Sequence, residues 1–548
     1  MTKIKYSTTW FSILICSLIP LGCNTKVQKS KDTVVIGIGS IPSTLDPRYA
    51  LDSEGMKIGS LIFQSLVKIG PDMQVVGDAA ENWKLDIVNP NSFKLKFKLK
   101  SNLIFSNGNN ITCTDLIFSI QEYKAESSPF KSAFSNITNV TCEGLNLILS
   151  FNEYSEKVLN SDLPVIKILP KDEVEKHQQN FKDILIGSGA YQVSKIKETE
   201  INLSINKNYN IDLDLNESDL KSMNKSVNNI GKKNRIKNLQ FKVIKDDFTR
   251  FLKMYRGDLD LAVSSLPKNK IKSLEKLKNL EIIKKPGLSM AYLLINLKNK
   301  ELQKLENRKI LFEGIDRNEI IKYKLENLAQ PATSILTPSN PYFWPGFLNL
   351  NKINSDSNIL DLKNTDPPAL SNDKSLEILR TKVLNSELSK IILNLKTSNT
   401  REAVENAKLI ATQLRNIGLR INHESYEWGT YYKDIKQGEY DLATMTWVGA
   451  YDPDIYRLAF SSQELPPDGR NRGYYLNTKF DELVINGAKE LDPEKRKNIY
   501  YQAQQIIYND LAIIPLWYED TITVIDRRIK NYKPSLNGDY SGLIFANF

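Results

Sequence analysis

The chain is nearly devoid of histidine: His177 and His423 are its only two among 548 residues, and they lie far apart. That scarcity argues against a histidine-rich metal or haem site and against histidine-based acid–base catalysis. Cysteine is also scarce, at four residues. No apolar run is long enough to cross a bilayer, and no stretch of one charge is dense enough to form a basic stripe. The formal charge of +10 is spread over Lys-rich and Asn-rich sequence, and +8 remains when Lys3 and Lys5 at the start are set aside. Nucleic-acid binding needs a clustered patch or a recognisable module, and neither is found. At 41% apolar and 25% charged, the composition is that of a folded protein. The length calls for two or three domains.

The first 23 residues set the compartment. MTKIKYSTT is cationic, Trp10 to Ile19 are mostly apolar, and Pro20-Leu21-Gly22-Cys23 follow. Ten residues of helix rise roughly 15 Å, half a bilayer core, so this is a signal segment and not a membrane span. Leu-Gly-Cys resembles a bacterial lipoprotein cleavage box, with Cys23 as the lipidated residue. Pro20 departs from the usual Leu there, and a plain secretory signal is the alternative. Residues 24–32 are polar and form a tether. In an oxidising exported setting Cys113 and Cys142 are either a disulfide pair or two small buried thiols.

Several units are legible by pattern. Val34 to Gly39 is a β-branched strand. Its Gly37 and Gly39 lack the third glycine and the helix start of a dinucleotide site. Ser92 to Leu99 alternates as a half-exposed strand, and Asp247 to Arg256 is a helix ended by Gly257. Glu306 to Tyr323 has helical spacing throughout. Asn354 to Lys374 is a polar insertion. Ile391 to Leu395, a helix from Thr400 to about Arg415, Gly418, and Leu419 to His423 make a β–α–β unit. A helix from Trp428 to about Lys436 and Gly438 then lead into Tyr440.

That unit delivers the stretch Tyr440 to Tyr456, YDLATMTWVGAYDPDIY. Leu442 to Trp447 is an apolar strand, broken by Gly449 and Ala450. Tyr451, Asp452, Pro453 and Asp454 follow as a turn carrying two carboxylates and a ring. In a sheet of this kind ligands bind beyond the carboxyl ends of the strands. Trp447, Val448, Gly449, Ala450, Tyr451, Asp452 and Asp454 are therefore candidate ligand-binding residues. A carboxylate-dependent hydrolase built on Asp452 and Asp454 is a rival reading. No nucleophile, histidine base or metal cluster accompanies the pair.

In order along the chain, further blocks stand out. They are Ser43-Thr44-Leu45-Asp46-Pro47, Ala80-Glu81-Asn82-Trp83, Phe105-Ser106-Asn107-Gly108 with Thr112 and Asp115 to Ser119, and Gly187 to Tyr191. Gly257 to Asp260, Arg308 with Ile315-Asp316-Arg317, Gly438 to Asp441 with Trp447, and Ile514-Pro515-Leu516 complete the set. This set resembles the family 5 solute-binding proteins of ABC importers, the oligopeptide- and dipeptide-binding lipoproteins, over nearly the whole mature chain.

The resemblance implies an α/β, periplasmic-binding-protein-like fold: two main lobes with a hinge and an inserted α+β third lobe. Lobe I would comprise 33–65, 185–285 and 512–548, lobe II 66–184 and lobe III 286–511. Tyr292 to Asn296 and Ile513 to Trp517 are the candidate crossing strands. It also implies a binding protein rather than an enzyme, needing no cofactor or metal. It would be lipid-anchored on the periplasmic or cell-surface side of a bacterial membrane and monomeric. Its partners would be a peptide or similar solute and ABC permease and ATPase subunits, not nucleic acid; the alternatives are the same scaffold holding an oligosaccharide or a metal chelate, or serving as a sensor lipoprotein. Ser43 and Trp428 join the candidate ligand contacts. Peptide-binding members commonly place an Asp shortly after the Trp, pairing with the peptide's amino group. Here that position is Ala450, so either Asp452 or Asp454 takes over or the ligand has no free amine.

Overall fold

The computed structural model describes residues 30–70, 73–89, 92–210, 235–349, 373–467 and 469–548. The signal segment with Cys23 lies outside them, as do most of the tether and nearly all of the polar insertion. The fold is α/β. Its main sheet runs in the order Arg420–Tyr426, Ile392–Ser398, Leu442–Trp447, Leu280–Ile295, Ile513–Asp526, Leu261–Val263, Thr33–Ile38, Asn238–Val243, Glu200–Ile205 and Tyr191–Lys197. The sheet is mixed. Thr33–Ile38 runs parallel to its neighbours, and so does Ile392–Ser398, whereas the central strands are antiparallel. A second, antiparallel sheet holds Ala80–Asn89, Ser92–Leu99, Asn146–Phe151 and Ile137–Glu143. Its helix Cys113–Lys124 is tied to the edge strand by a Cys113–Cys142 disulfide.

Two large apolar clusters divide the interior. One gathers Val34, Ile58, Leu95, Tyr123, Phe241 and Leu543, and so joins the start, the antiparallel sheet and the C-terminus into a first body. The other gathers Met290, Leu311, Leu395, Ile410, Tyr456, Tyr500 and Trp517 into a second body. Leu280–Ile295 and Ile513–Asp526 pass between them as a pair, in register from Leu280↔Asp526 to Leu294↔Ile513. The register slips between Pro286 and Ser289. Pro286 has no N–H to offer the ladder, and a Cβ on Gly287 would fall 2.2 Å from the Glu519 carbonyl oxygen. This bulge sits where the two bodies meet: Leu280 belongs to a small cluster beside the first, and Met290 to the second.

The strand Leu442–Trp447, the helix Asp247–Arg256 and the caps Gly257, Gly418 and Gly438 lie where pattern places them. Gly418 and Gly438 take φ of +100° and +74°, a region that favours glycine. The continuous helix expected over Glu306 to Tyr323 is two helices, Leu305–Glu313 and Arg317–Tyr323. Asp316 accepts from the Glu319 N–H at 2.8 Å and starts a fresh helix, which splits the apolar period.

Candidate functional site

Leu442–Trp447 pairs antiparallel with Leu280–Ile295 from Leu442↔Ile295 to Trp447↔Met290, and parallel with Ile392–Ser398 at its start. Trp447 lies 6.2 Å from Tyr292, ring centre to ring centre, with planes 11° apart. This stack fixes the last residue of the strand. Gly449 then turns the chain at φ +66°, and its N–H donates to the Leu288 carbonyl beside the bulge at 3.3 Å. Val448 is 72% exposed, whereas Ala450 is buried. Asn340 Nδ2 donates to the carbonyls of Ala450 at 3.2 Å and Tyr451 at 2.8 Å, so the loop is clamped from within the second body.

The next two carboxylates point inward. Asp452 Oδ1 accepts from the Asp454 N–H at 2.9 Å, the usual Asx closure of such a turn. Both Asp452 oxygens bond the guanidinium of Arg496, at 2.9 to 3.1 Å. The Arg496 side chain has no exposure and that of Asp452 3%. Burial works against the Arg496 charge, but Asp452 more than offsets it and holds the guanidinium above its ordinary value. Asp454 is bonded by Arg457 Nε at 3.0 Å and Nη2 at 2.9 Å, with the Tyr500 hydroxyl at 3.5 Å. Burial pushes Asp454 up, and Arg457 works the other way.

Asp452 and Asp454 are thus both buried and already paired, Asp452 with the fully buried Arg496 and Asp454 with the half-buried Arg457. For the same reason the pair is not a catalytic dyad. Arg496 lies on the helix Pro493–Asn509, and nothing in the sequence ties it to Asp452.

The remaining candidates are dispersed. Ser43 is exposed and its Oγ donates to Asp52 Oδ2 at 2.6 Å, the carboxylate that caps helix Ser53–Ile62. Trp428 opens helix Trp428–Gln437, is 56% exposed, and stacks on Tyr432 at 5.6 Å. Tyr432 in turn carries the Arg472 guanidinium, 4.7 Å from its ring centre. Tyr451 reaches the first body. Burial raises its hydroxyl well above the ordinary value, the charge of Asp539 adds to this, and Asn537 beside it works the other way.

Two more contacts cross between the bodies. Asn160 Nδ2 donates to Asp452 Oδ2 at 2.9 Å, and Lys268 Nζ lies 2.6 Å from Glu402 and 3.3 Å from Glu519. Among the described residues there is no group of three or more side chains fit to hold a metal ion, and no helix long and apolar enough to cross a membrane.

The oligopeptide-binding protein AppA of Bacillus subtilis is 23% identical over 527 residues, covering 93% of this chain and 90% of that one. The nickel-binding protein NikA of Staphylococcus aureus is 24% identical over 543 residues, covering 98% of each. The solved structure of Bacillus subtilis AppA in complex with a nonapeptide superposes with a TM-score of 0.72 at 19% identity, covering 94% of this chain and 98% of that one. The model of the bacterial extracellular solute-binding proteins, family 5, matches residues 74–464. Most of the chain falls inside that match, so it belongs to the family 5 solute-binding proteins of ABC importers and is a binding protein, not an enzyme.

Proposed function

We propose that this protein captures peptides outside the cytoplasm, between its two bodies, and hands them to an ABC permease while a lipid on Cys23 holds it to the membrane. The observation that carries the reading is the paired crossing of Leu280–Ile295 and Ile513–Asp526. Their bulge at Pro286 to Ser289 is the hinge, and the Trp447 to Asp454 loop stands directly beside it through the Gly449–Leu288 bond. Contacts made from both bodies exist only when they are together, so a ligand that bridges them shifts the population to the closed form. The lobes are 33–65 with 185–285 and 512–548, then 66–184, then 286–511, and the protein acts as a monomer. Relatives described as oligopeptide- and dipeptide-binding favour peptides.

A metal chelate is the second reading, because NikA matches over 98% of both chains. Such a ligand brings its own donor atoms and needs few from the protein.

The test is native mass spectrometry of the protein taken from its own membranes, followed by denaturation. A mixed set of short peptides supports the first reading. A single metal-bearing mass replaces it with the second. Added back at ~100-fold its dissociation constant, the true ligand raises stability by about 2.7 kcal/mol.

A further inference from the structure

Four strand ends meet at one pole of the first body. Thr33–Ile38 and Asn238–Val243 start there side by side, in register from Thr33↔Asn238, and the Leu280↔Asp526 pair ends the crossing ladder. Backbone bonds hold the ends together. The Asp32 carbonyl accepts from the N–H groups of Lys237 at 3.0 Å and Asn238 at 2.9 Å. Arg527 donates from its N–H to the Asn279 carbonyl and from Nε to the Leu280 carbonyl, each at 2.9 Å. Lys530 pairs with Asn547 through the backbone. Arg528 Nη1 donates to the Ser30 carbonyl at 2.7 Å, which pins the point where the chain from Cys23 enters the fold.

The pole is basic. Lys31, Lys237, Lys276, Lys278, Arg527 and Lys530 are all exposed on it. They come from four separate stretches, so no basic run shows in the sequence. The acids nearby are answered or withdrawn. Asp260 and Asp526 are buried beside Arg528, at 2.9 Å and 3.4 Å, and Asp32 and Asp258 are half-buried. Glu275 lies 3.1 Å from Lys284, and Glu281 3.9 Å from Arg527. Among the described residues, the five lysines named here form no ion pair. Exposed ammonium groups without counter-charges, gathered on rigid strand ends, attract an anionic surface.

Two lengths say which surface. Cys23 precedes Ser30 by seven residues, a span of at most about 25 Å when extended, so a lipid on Cys23 keeps this pole close to the headgroups. The hinge bulge begins at Pro286, six residues along the strand from Leu280 and roughly 20 Å away, so the cleft stands clear when the pole is down.

We infer that this pole, given the lipid on Cys23 proposed above, is a docking face for anionic phospholipid headgroups that seats the tethered protein with its cleft open to solvent. A lipid chain and a basic patch act together as anchors. Each cation near such a surface strengthens binding about 5-fold, and the attraction fades within ~10 Å. The contact is therefore reversible, and the tethered protein can leave the surface to reach the permease.

The test uses the mature chain carrying Cys23→Ser, which takes no lipid, and reads cosedimentation with vesicles. One set mixes one part phosphatidylglycerol with two parts phosphatidylcholine, and the other is phosphatidylcholine alone. The parent should bind the mixed vesicles only and come off at ~0.5 M salt. K276Q/K278Q/K530Q should lose at least about 10-fold in vesicle affinity. K433Q/K436Q/K479Q removes as many exposed charges from the second body and should bind as the parent does. Equal losses in the two variants, or equal binding to both vesicle sets, overturn the docking face. Capture of the parent by heparin without vesicle binding overturns it too, and makes a soluble polyanion the occupant. The mass of the N-terminal peptide from native membranes decides Cys23 separately: an unmodified Cys23 removes the anchor reading, and the vesicles alone then decide the pole.

Discussion

Asn160 and Asp452 are 292 residues apart in sequence and 2.9 Å apart in space, Nδ2 to Oδ2. Asn160 lies in the short turn Val158–Asp162, whose Val158 and Leu159 pack into the first body, whereas Asp452 follows Ala450 of the second. The bond therefore belongs to the closed arrangement. Replacing Asn160 with Ala removes a hydrogen bond to a charged group, with a typical value of about 1.5–3 kcal/mol. Ligand affinity should fall roughly 10-fold or more while the urea midpoint of the ligand-free protein barely moves. An unchanged dissociation constant would remove this contact from closure.

Arg496 tests the interior of the same loop. With no exposure on the arginine side chain and 3% on that of Asp452, removing one partner strands a buried charge. Such losses cost about 3–5 kcal/mol. Arg496→Met should lower unfolding stability by that order in urea titrations, and the second body should lose its cooperative transition first. A loss below 1 kcal/mol would mean that Asp452 finds water or another donor.

Lys268 offers a gentler contrast. It opens helix Lys268–Leu274 and bridges Glu402, at the start of helix Arg401–Asn416, and Glu519 on the crossing strand. The Glu402 side chain is 54% exposed, so the contribution is that of a solvated pair, about 0–1 kcal/mol. Lys268→Ala should raise the dissociation constant by at most about 5-fold, and ~1 M salt should erase the difference between variant and parent. A difference that survives high salt would assign Lys268 a packing role instead.

Much of this frame is legible in the sequence. The strand Leu442–Trp447 declared itself by its apolar run and by the glycines on either side, because strand length and turn chemistry are local properties. The helix ends at Gly418 and Gly438 were local too, and each glycine sits in the left-handed region that ends a helix. The crossing strands were found only at their second-body ends. The apolar run stops at Lys284, Lys285 and Pro286, beyond which the strand leaves one core for another. The site was read less well. Asp452 and Asp454 looked like open carboxylates because the arginine that claims Asp452 lies 44 residues downstream on a helix.

The buried charges around Asp452 also set a pH dependence. Asp162 is pushed up to about 6, first by burial and then by Asp452 and Asp454 across the seam, with Lys157 at 2.7 Å opposing. A carboxyl whose folded value exceeds its unfolded one binds its proton more tightly in the native state. Its contribution to stability is thus present at low pH and is lost as pH rises from about 4 through about 6. The shift from 3.8 to about 6 corresponds to at most about 3 kcal/mol. Asp162→Asn removes this titration and leaves the other carboxylates in place. Urea stability of the unaltered protein, relative to the variant, should therefore decline by roughly 1–3 kcal/mol between pH 4 and pH 6.5. A difference that stays flat or rises over that window would mean that Lys157, and not burial, governs Asp162, and that the seam carries a settled ion pair there.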